Sequence, residues 1–399
     1  MPIPKSLTSH NDSILKQRFQ KQEALSRVAT FRKSRSHFRI GILKTILSFV
    51  IGAFLCSASL AGIPASPSRP SHQSLDWYPD EAGKPQPIER LEDWQKRRAA
   101  IIAGFEEVAG PLPSRENLPD LDPQVIDLHE TEFYIRQTIT FVSEHGDRTP
   151  AFLYFPKDIE LGEKRPGILA LHPTGALGKK IVDGQSKRPN RAYARELAER
   201  GYVVIAPDYP SFGDYADYDF ESDHYSSGGM KGIWNHIRSV DLLVSLPEVD
   251  SDRIAAIGHS LGGHNAIFTA IFDPRIQVIV SSCGWTPLHD YYGGTLTGWT
   301  SARYFPAIRD RYNLDPDKVP FDFYELVAAL APAAFFSNSP LQDHNFDWRG
   351  VEKAAPKIRR IYELHSVPEK LRIAYPNAKH DFPTPVREES YEFLKRWLK

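Results

Sequence analysis

Cysteine is almost missing from this sequence. The 399 residues contain two, Cys56 and Cys283, and no CxxC pair exists to hold zinc or run redox chemistry. No HExxH run occurs, so no catalytic metal and no cofactor are expected. Neither sign of charge is in excess. Forty-nine Lys and Arg stand against 50 Asp and Glu, a net charge of -1, which leaves no basic balance to neutralise phosphates and argues against nucleic acid as a partner. No internal repeat is evident. Material for a core is plentiful, with 41% hydrophobic and 12% aromatic residues in a chain long enough for one large α/β unit.

The even balance hides an asymmetry at the N-terminus. Lys5, Lys16, Arg18, Lys21, Arg27, Arg32, Lys33, Arg35 and Arg39 face only Asp12 and Glu23. The apolar run Ile46 to Cys56 follows, then small residues to Gly62. Basic arm, apolar stretch and a small-x-small site at Ser59-Leu60-Ala61 form the layout of an export signal, and the reading favours export with cleavage. The alternative is an uncleaved membrane anchor over residues 45–63, the one route by which a membrane would be a partner. Cleavage would leave Cys283 as a lone thiol, expected to be buried at the end of a strand. The organisation read from composition is a basic arm and signal over 1–62, a Pro/Ser-rich linker over 63–87, a helical lead-in over 88–124, and the main domain over 125–399.

Within the lead-in, apolar residues from Leu91 to Val108 recur at helical spacing up to the breaker Gly110-Pro111-Leu112-Pro113. Polar and apolar residues alternate from Thr131 to Phe141, and Pro150 to Phe155 follows after His145-Gly146-Asp147, which predicts an antiparallel hairpin at a sheet edge. Strand and helix patterns then take turns. Strands are expected at 166–171, 202–206, 253–257, 277–281, 334–336 and 370–375. Helices are expected near 191–200, 231–246, 261–271, 351–364 and 385–398. That rhythm predicts an α/β fold with a mostly parallel eight-stranded sheet covered by helices on both faces. Two insertions, 209–232 and 284–330, carry many aromatics and are expected to shape a pocket, either against substrate or by packing on one another.

The stretch Gly258-His259-Ser260-Leu261-Gly262-Gly263 falls between the fifth strand and its helix. G-x-S-x-G in that setting is a strained turn that lifts a serine hydroxyl above a sheet. A hydroxyl is a weak nucleophile and needs a base oriented by an acid, which follow in the order Ser, Asp/Glu, His. His380 lies in the loop between the last strand and the last helix and is the candidate base. His264 falls inside the helix after the turn and His365 at a helix end. After the preceding strand, Asp343 is favoured as the acid from its position, with Asp347 as the alternative or a helix cap. Asp381, adjacent to His380, would struggle to reach its Nδ1. An oxyanion needs two backbone donors. Leu261, after the serine, is one; Thr174 is the second, because Pro173 in the loop 171–175 has no N–H. His172 is expected to support that loop structurally.

These residues resemble an α/β-hydrolase of the dienelactone-hydrolase and acetyl-xylan-esterase-like group, related also to the prolyl-oligopeptidase catalytic domain. The resemblance covers about Trp94 to Lys399. It rests on Gly258 to Gly263, Tyr292-Gly293-Gly294 with Trp299 and Arg303-Tyr304, Phe321-Asp322-Phe323 running into Ala329-Leu330-Ala331-Pro332, and His380-Asp381-Phe382-Pro383. It implies a serine hydrolase with a Ser260, Asp343, His380 triad. Dienelactone hydrolases use Cys as nucleophile; serine here points to esters, small or linked to polysaccharide. A serine peptidase is the alternative, and a non-catalytic binding protein of the same fold a third. Ala333 departs from the Arg that related sequences often carry.

Overall fold

The computed structural model of the protein describes residues 74–399. The expected signal segment and residues 63–73 of the expected linker lie outside these residues. The last part of the linker stretch is ordered: β1 (Trp77–Pro79) and β2 (Pro85–Pro87) form a two-stranded hairpin. The Asp80 carboxylate closes its turn by accepting the Ala82 and Lys84 amides at 3.0 and 2.8 Å. Cations of the next helix cover it, with Arg97 over the Trp77 ring and Lys96 over Tyr78. Proline-rich composition suggests a linker because it removes ladder donors; the aromatic side chains between the prolines anchor the hairpin instead.

Helix α1 (Leu91–Ala109) buries Trp94, Ile101, Phe105 and Val108. Phe105 is fully buried, its ring 4.9 Å from Phe268 and 5.0 Å from Phe321. Burial of such a ring is worth roughly 2–3 kcal/mol. The charged side chains on this helix include Arg97, which pairs with buried Glu325.

The main sheet comprises β3 (Gln124–Glu130), β4 (Tyr134–Glu144), β5 (Asp147–Pro156), β6 (Arg165–Leu171), β7 (Val203–Pro207), β8 (Val249–His259), β9 (Ile276–Ser282), β10 (Ala334–Asn338) and β11 (Leu371–Ala374). Its spatial order is β11-β10-β9-β8-β6-β7-β5-β4-β3. Nine strands replace the eight expected. The extra strand, β3, is an antiparallel edge strand paired with β4, and all seven of its residues are exposed. With neither face buried it shows no alternation, so the periodicity that marks β4 is missing. The strands from β6 through β11 pair in parallel.

Helices α2 (Tyr193–Ala198), α3 (Gly228–Ser245), α4 (Leu261–Phe272), α5 (Ala307–Asp310), α6 (Phe323–Ala328), α7 (Trp348–Leu364) and α8 (Thr384–Trp397) complete the fold. Tyr193 and Leu197 of α2 and Tyr391 and Leu394 of α8 pack with Ile168, Val204, Ile257, Val280 and Phe336 in one core. Strand neighbours such as Leu169, Ala256 and Ile279 are also buried, so both faces are dry and the central strands read as continuous apolar runs. Among the described residues, no helix is long and apolar enough to cross a membrane.

Candidate active site

Parallel register brings the chemistry to one rung. Leu171 pairs with Gly258, His259 with Ser282, Ser282 with Asn338, and Asn338 with Ala374. The loops carrying Thr174, Ser260, Asp343 and His380 therefore leave the same edge, at the carboxyl ends of the strands, where open α/β sheets bind ligands.

Ser260 is the last residue before α4 and has φ 54° and ψ -116°. Left-handed backbone is costly for a residue with a Cβ and persists only where the surroundings impose it. They do so through close approach. A Cβ on Gly258 would lie 2.2 Å from the Gly262 carbonyl, and one on Gly262 would lie 2.0 Å from the Leu171 oxygen. The Ser260 amide donates to the Ser282 carbonyl at 2.8 Å, which ties the turn to β9.

His380 Nδ1 stands 2.8 Å from Asp343 Oδ2, with the carboxylate side chain fully buried and the imidazole half-buried. Asp343 also accepts the Asn345 amide at 2.9 Å and the Phe346 amide at 3.3 Å, which points its second oxygen at the ring. Phe346 stacks on His380 with centroids 6.0 Å apart, and His259 packs at 4.8 Å. The alternative acid, Asp347, instead caps α7 by accepting the Arg349 amide. Asp381 is bound by Arg191 and Asn190. His365 ends α7.

The loop after β6 is held from beneath. His172 Nδ1 donates to the Pro173 carbonyl and Nε2 accepts the Tyr209 amide, so burial keeps the ring neutral and its pKa lowered. The Tyr193 hydroxyl donates to the Leu171 carbonyl and accepts the His259 amide, clamping β6 to β8. Neither the Thr174 nor the Leu261 amide donates to an acceptor among the described residues.

A second tier of polar contacts lies under the site. Asn338 Nδ2 donates to Ser282 Oγ and to the Asp381 carbonyl, each at 2.8 Å. Ser282 Oγ lies 2.9 Å from His259 Nδ1. Burial, then the nearby Arg191, His380 and Arg188, hold His259 well below the usual imidazole range. Cys283 is buried, donates to the Asp381 carbonyl at 3.3 Å, and has its thiol pKa pushed up by burial and by Asp343. Cys283, Asp343 and His380 bring ligand atoms within 4.8 Å of one another. Two of those atoms already share the His–Asp hydrogen bond.

The two aromatic insertions divide their work. In the first, Tyr215 and Tyr225 donate to Asp147 and Glu144, and both carboxylates pair with buried Lys231. These rings pack the insertion together. In the second, Trp299 and Tyr304 lie 4.8 and 5.9 Å from His264, and Tyr304 hydroxyl reaches Thr174 Oγ1 at 3.3 Å. His264 is pushed down to about 3 by burial and the neighbouring His380. Asp208 is buried and accepts from Lys179 and the Asp214 amide, a loop anchor. Sequence reasoning did not single out Tyr193, Ser282, Asn338 or Arg188. Only the strand register and loop packing bring them to this rung, so no local pattern marks them.

A family model described as "Alpha/beta hydrolase family" matches residues 188–393. The chain is 26% identical over 297 residues to YtaP of Bacillus subtilis (strain 168), spanning 71% of this chain and 95% of that protein. It is 27% identical over 271 residues to Dipeptidyl-peptidase 5 of Porphyromonas gingivalis, 64% of this chain but 36% of that one. Among solved structures, the glucuronoyl esterase from Solibacter usitatus superposes with a TM-score of 0.62 at 21% identity, covering 84% of this chain and 99% of the other. Sequence match, strand order and the serine turn agree: the chain belongs to the alpha/beta hydrolase family.

Proposed function

We propose that the protein hydrolyses carboxylic esters through an acyl-enzyme, that its substrates are carbohydrate-linked esters, and that it acts after export. The observation carrying this reading is the His380–Asp343 pair on the same rung as the strained Ser260 turn. Ser260 Oγ attacks the ester carbonyl while His380 Nε2 takes its proton. Asp343 holds the tautomer and stabilises the imidazolium. The Leu261 and Thr174 amides receive the oxyanion. Collapse expels the alcohol, which takes the proton from His380. Water, deprotonated by His380, then releases the acid and regenerates Ser260.

The glucuronoyl esterase likeness extends over nearly the whole of that enzyme, whereas the peptidase likeness covers about a third of its counterpart, and this supports esters over peptides. The exposed cation at the rim, Arg188, supports it too, since it repels a free substrate amine. A fluorophosphonate probe tests the serine mechanism: it labels the wild type and not Ser260→Ala, and labelling that persists in the variant refutes it. Hydrolysis of 4-nitrophenyl acetate and methyl glucuronate, with aminoacyl nitroanilides untouched, is the expected substrate profile. The reverse profile selects the peptidase reading. Absence of the leader in protein collected outside the cytoplasm checks export.

A further inference from the structure

The segment 185–191 links the loop after β6 to the histidine loop. At one end Arg188 Nη1 donates to the Thr174 carbonyl at 3.3 Å. At the other, Arg191 pairs with Asp381 and donates to the His380 carbonyl at 3.1 Å, while Asn190 donates to Asp381 at 2.7 Å. Arg191 is thus neutralised and buried. Arg188 is exposed, and no carboxylate pairs with it among the described residues. Lys187, also exposed, sits beside it, and the segment Gln185 to Arg191 contains no acidic residue. One guanidinium N–H is used by Thr174, so most of the planar fork faces open solvent beside the oxyanion loop.

Resting on the ester-hydrolase reading, we propose that Arg188 is a specificity-determining residue that receives a carboxylate carried by the acyl part of the substrate, a few atoms from the scissile carbonyl. The substrate class is therefore an ester within an acidic chain, such as one esterified position of a polyuronate whose neighbouring carboxylates are free. An Arg fork matches a carboxylate in two parallel hydrogen bonds. Its charge is felt at the floor of the site, where burial first, then Arg191, His380 and Arg188, hold His259 below the usual imidazole range. A neutral chain gains nothing from this contact.

The test compares kcat/KM for mono-(4-nitrophenyl) adipate with that for 4-nitrophenyl hexanoate, which has the same length without the charge. Arg188→Gln lowers the adipate-to-hexanoate ratio about fivefold, the size of one exposed ion pair. Arg188→Lys keeps most of the ratio. Raising ionic strength from about 0.01 M to about 1 M, which shortens the screening length from about 30 to about 3 Å, collapses the wild-type ratio and leaves that of Arg188→Gln unchanged. An unaltered ratio in Arg188→Gln overturns the proposal. So does an equal fall on both esters, which makes Arg188 only a support for the Thr174 carbonyl. Failure to hydrolyse either ester removes the ester reading and this inference together, whereas hydrolysis without charge preference removes the inference alone.

Discussion

Replacing Asp343 by Asn removes a buried negative charge beside the His380 ring while keeping the volume and one carbonyl-like oxygen. That oxygen can still accept the Asn345 and Phe346 amides that Asp343 accepts now, so the loop is expected to hold. The transition state suffers instead. An imidazolium forms there with its charge about 4 Å from the carboxylate, and at an effective dielectric of about 20 that attraction is worth about 4 kcal/mol. At about 1.4 kcal/mol per decade, kcat for 4-nitrophenyl acetate falls about a thousandfold. The Asn amide also donates to Nδ1 and favours the wrong tautomer, which acts in the same direction. Asp347→Asn is the control. Asn caps a helix as well as Asp, so the variant keeps turnover within about twofold. Steady-state kinetics with thermal melts read both. Asp343→Asn near wild-type turnover, or Asp347→Asn with the larger loss, refutes the assignment of the acid.

Three further outcomes follow from the geometry. His236 and His264 are buried and both pushed down to about 3, below the ordinary 6.5 of an unfolded chain, so the unfolded state binds more protons between these values. Stability is full above about pH 6.5 and falls as pH drops towards about 3; urea midpoints at stepped pH check this, and flat stability from pH 7 to 4 refutes it. Gly262→Ala places a methyl 2.0 Å from the Leu171 oxygen and forces β6 and α4 apart, costing about 1–3 kcal/mol of stability and slowing fluorophosphonate labelling; a variant with wild-type melting and labelling contradicts the close approach. Asn338→Ala deletes two 2.8 Å bonds, to Ser282 and to the Asp381 carbonyl, and lowers kcat about tenfold with little change in KM; a rise in KM at constant kcat makes the role one of substrate binding.

Much of the architecture was legible because it is written in local patterns. The alternation of strand and helix patterns predicts the parallel sheet, and the helices expected near 191–200, 231–246, 261–271, 351–364 and 385–398 correspond to α2, α3, α4, α7 and α8 within a few residues at either end. Two local features resisted. The β1–β2 hairpin is proline-rich and anchored by cations from α1, and β3 is exposed on both sides. The hairpin leans on a helix outside its own segment and β3 buries neither face, so neither has the periodicity that burial imposes.

The sequence by itself determined the setting of the proposed nucleophile: glycines at 258 and 262 around Ser260, between an apolar strand and a helix, permit a strained turn. It also pointed to Thr174 for the proposed second oxyanion amide, because Pro173 has no N–H. Which of Asp343 and Asp347 meets His380 belonged to tertiary structure. Both follow the same strand in the same loop, and only the fold of residues 339–347 puts one oxygen of Asp343 at 2.8 Å from His380 and turns Asp347 onto the α7 cap. That Arg188 meets no carboxylate among the described residues was decided there too. Whether a cation is free depends on which carboxylates the fold brings near it, and Asp381 went to Arg191.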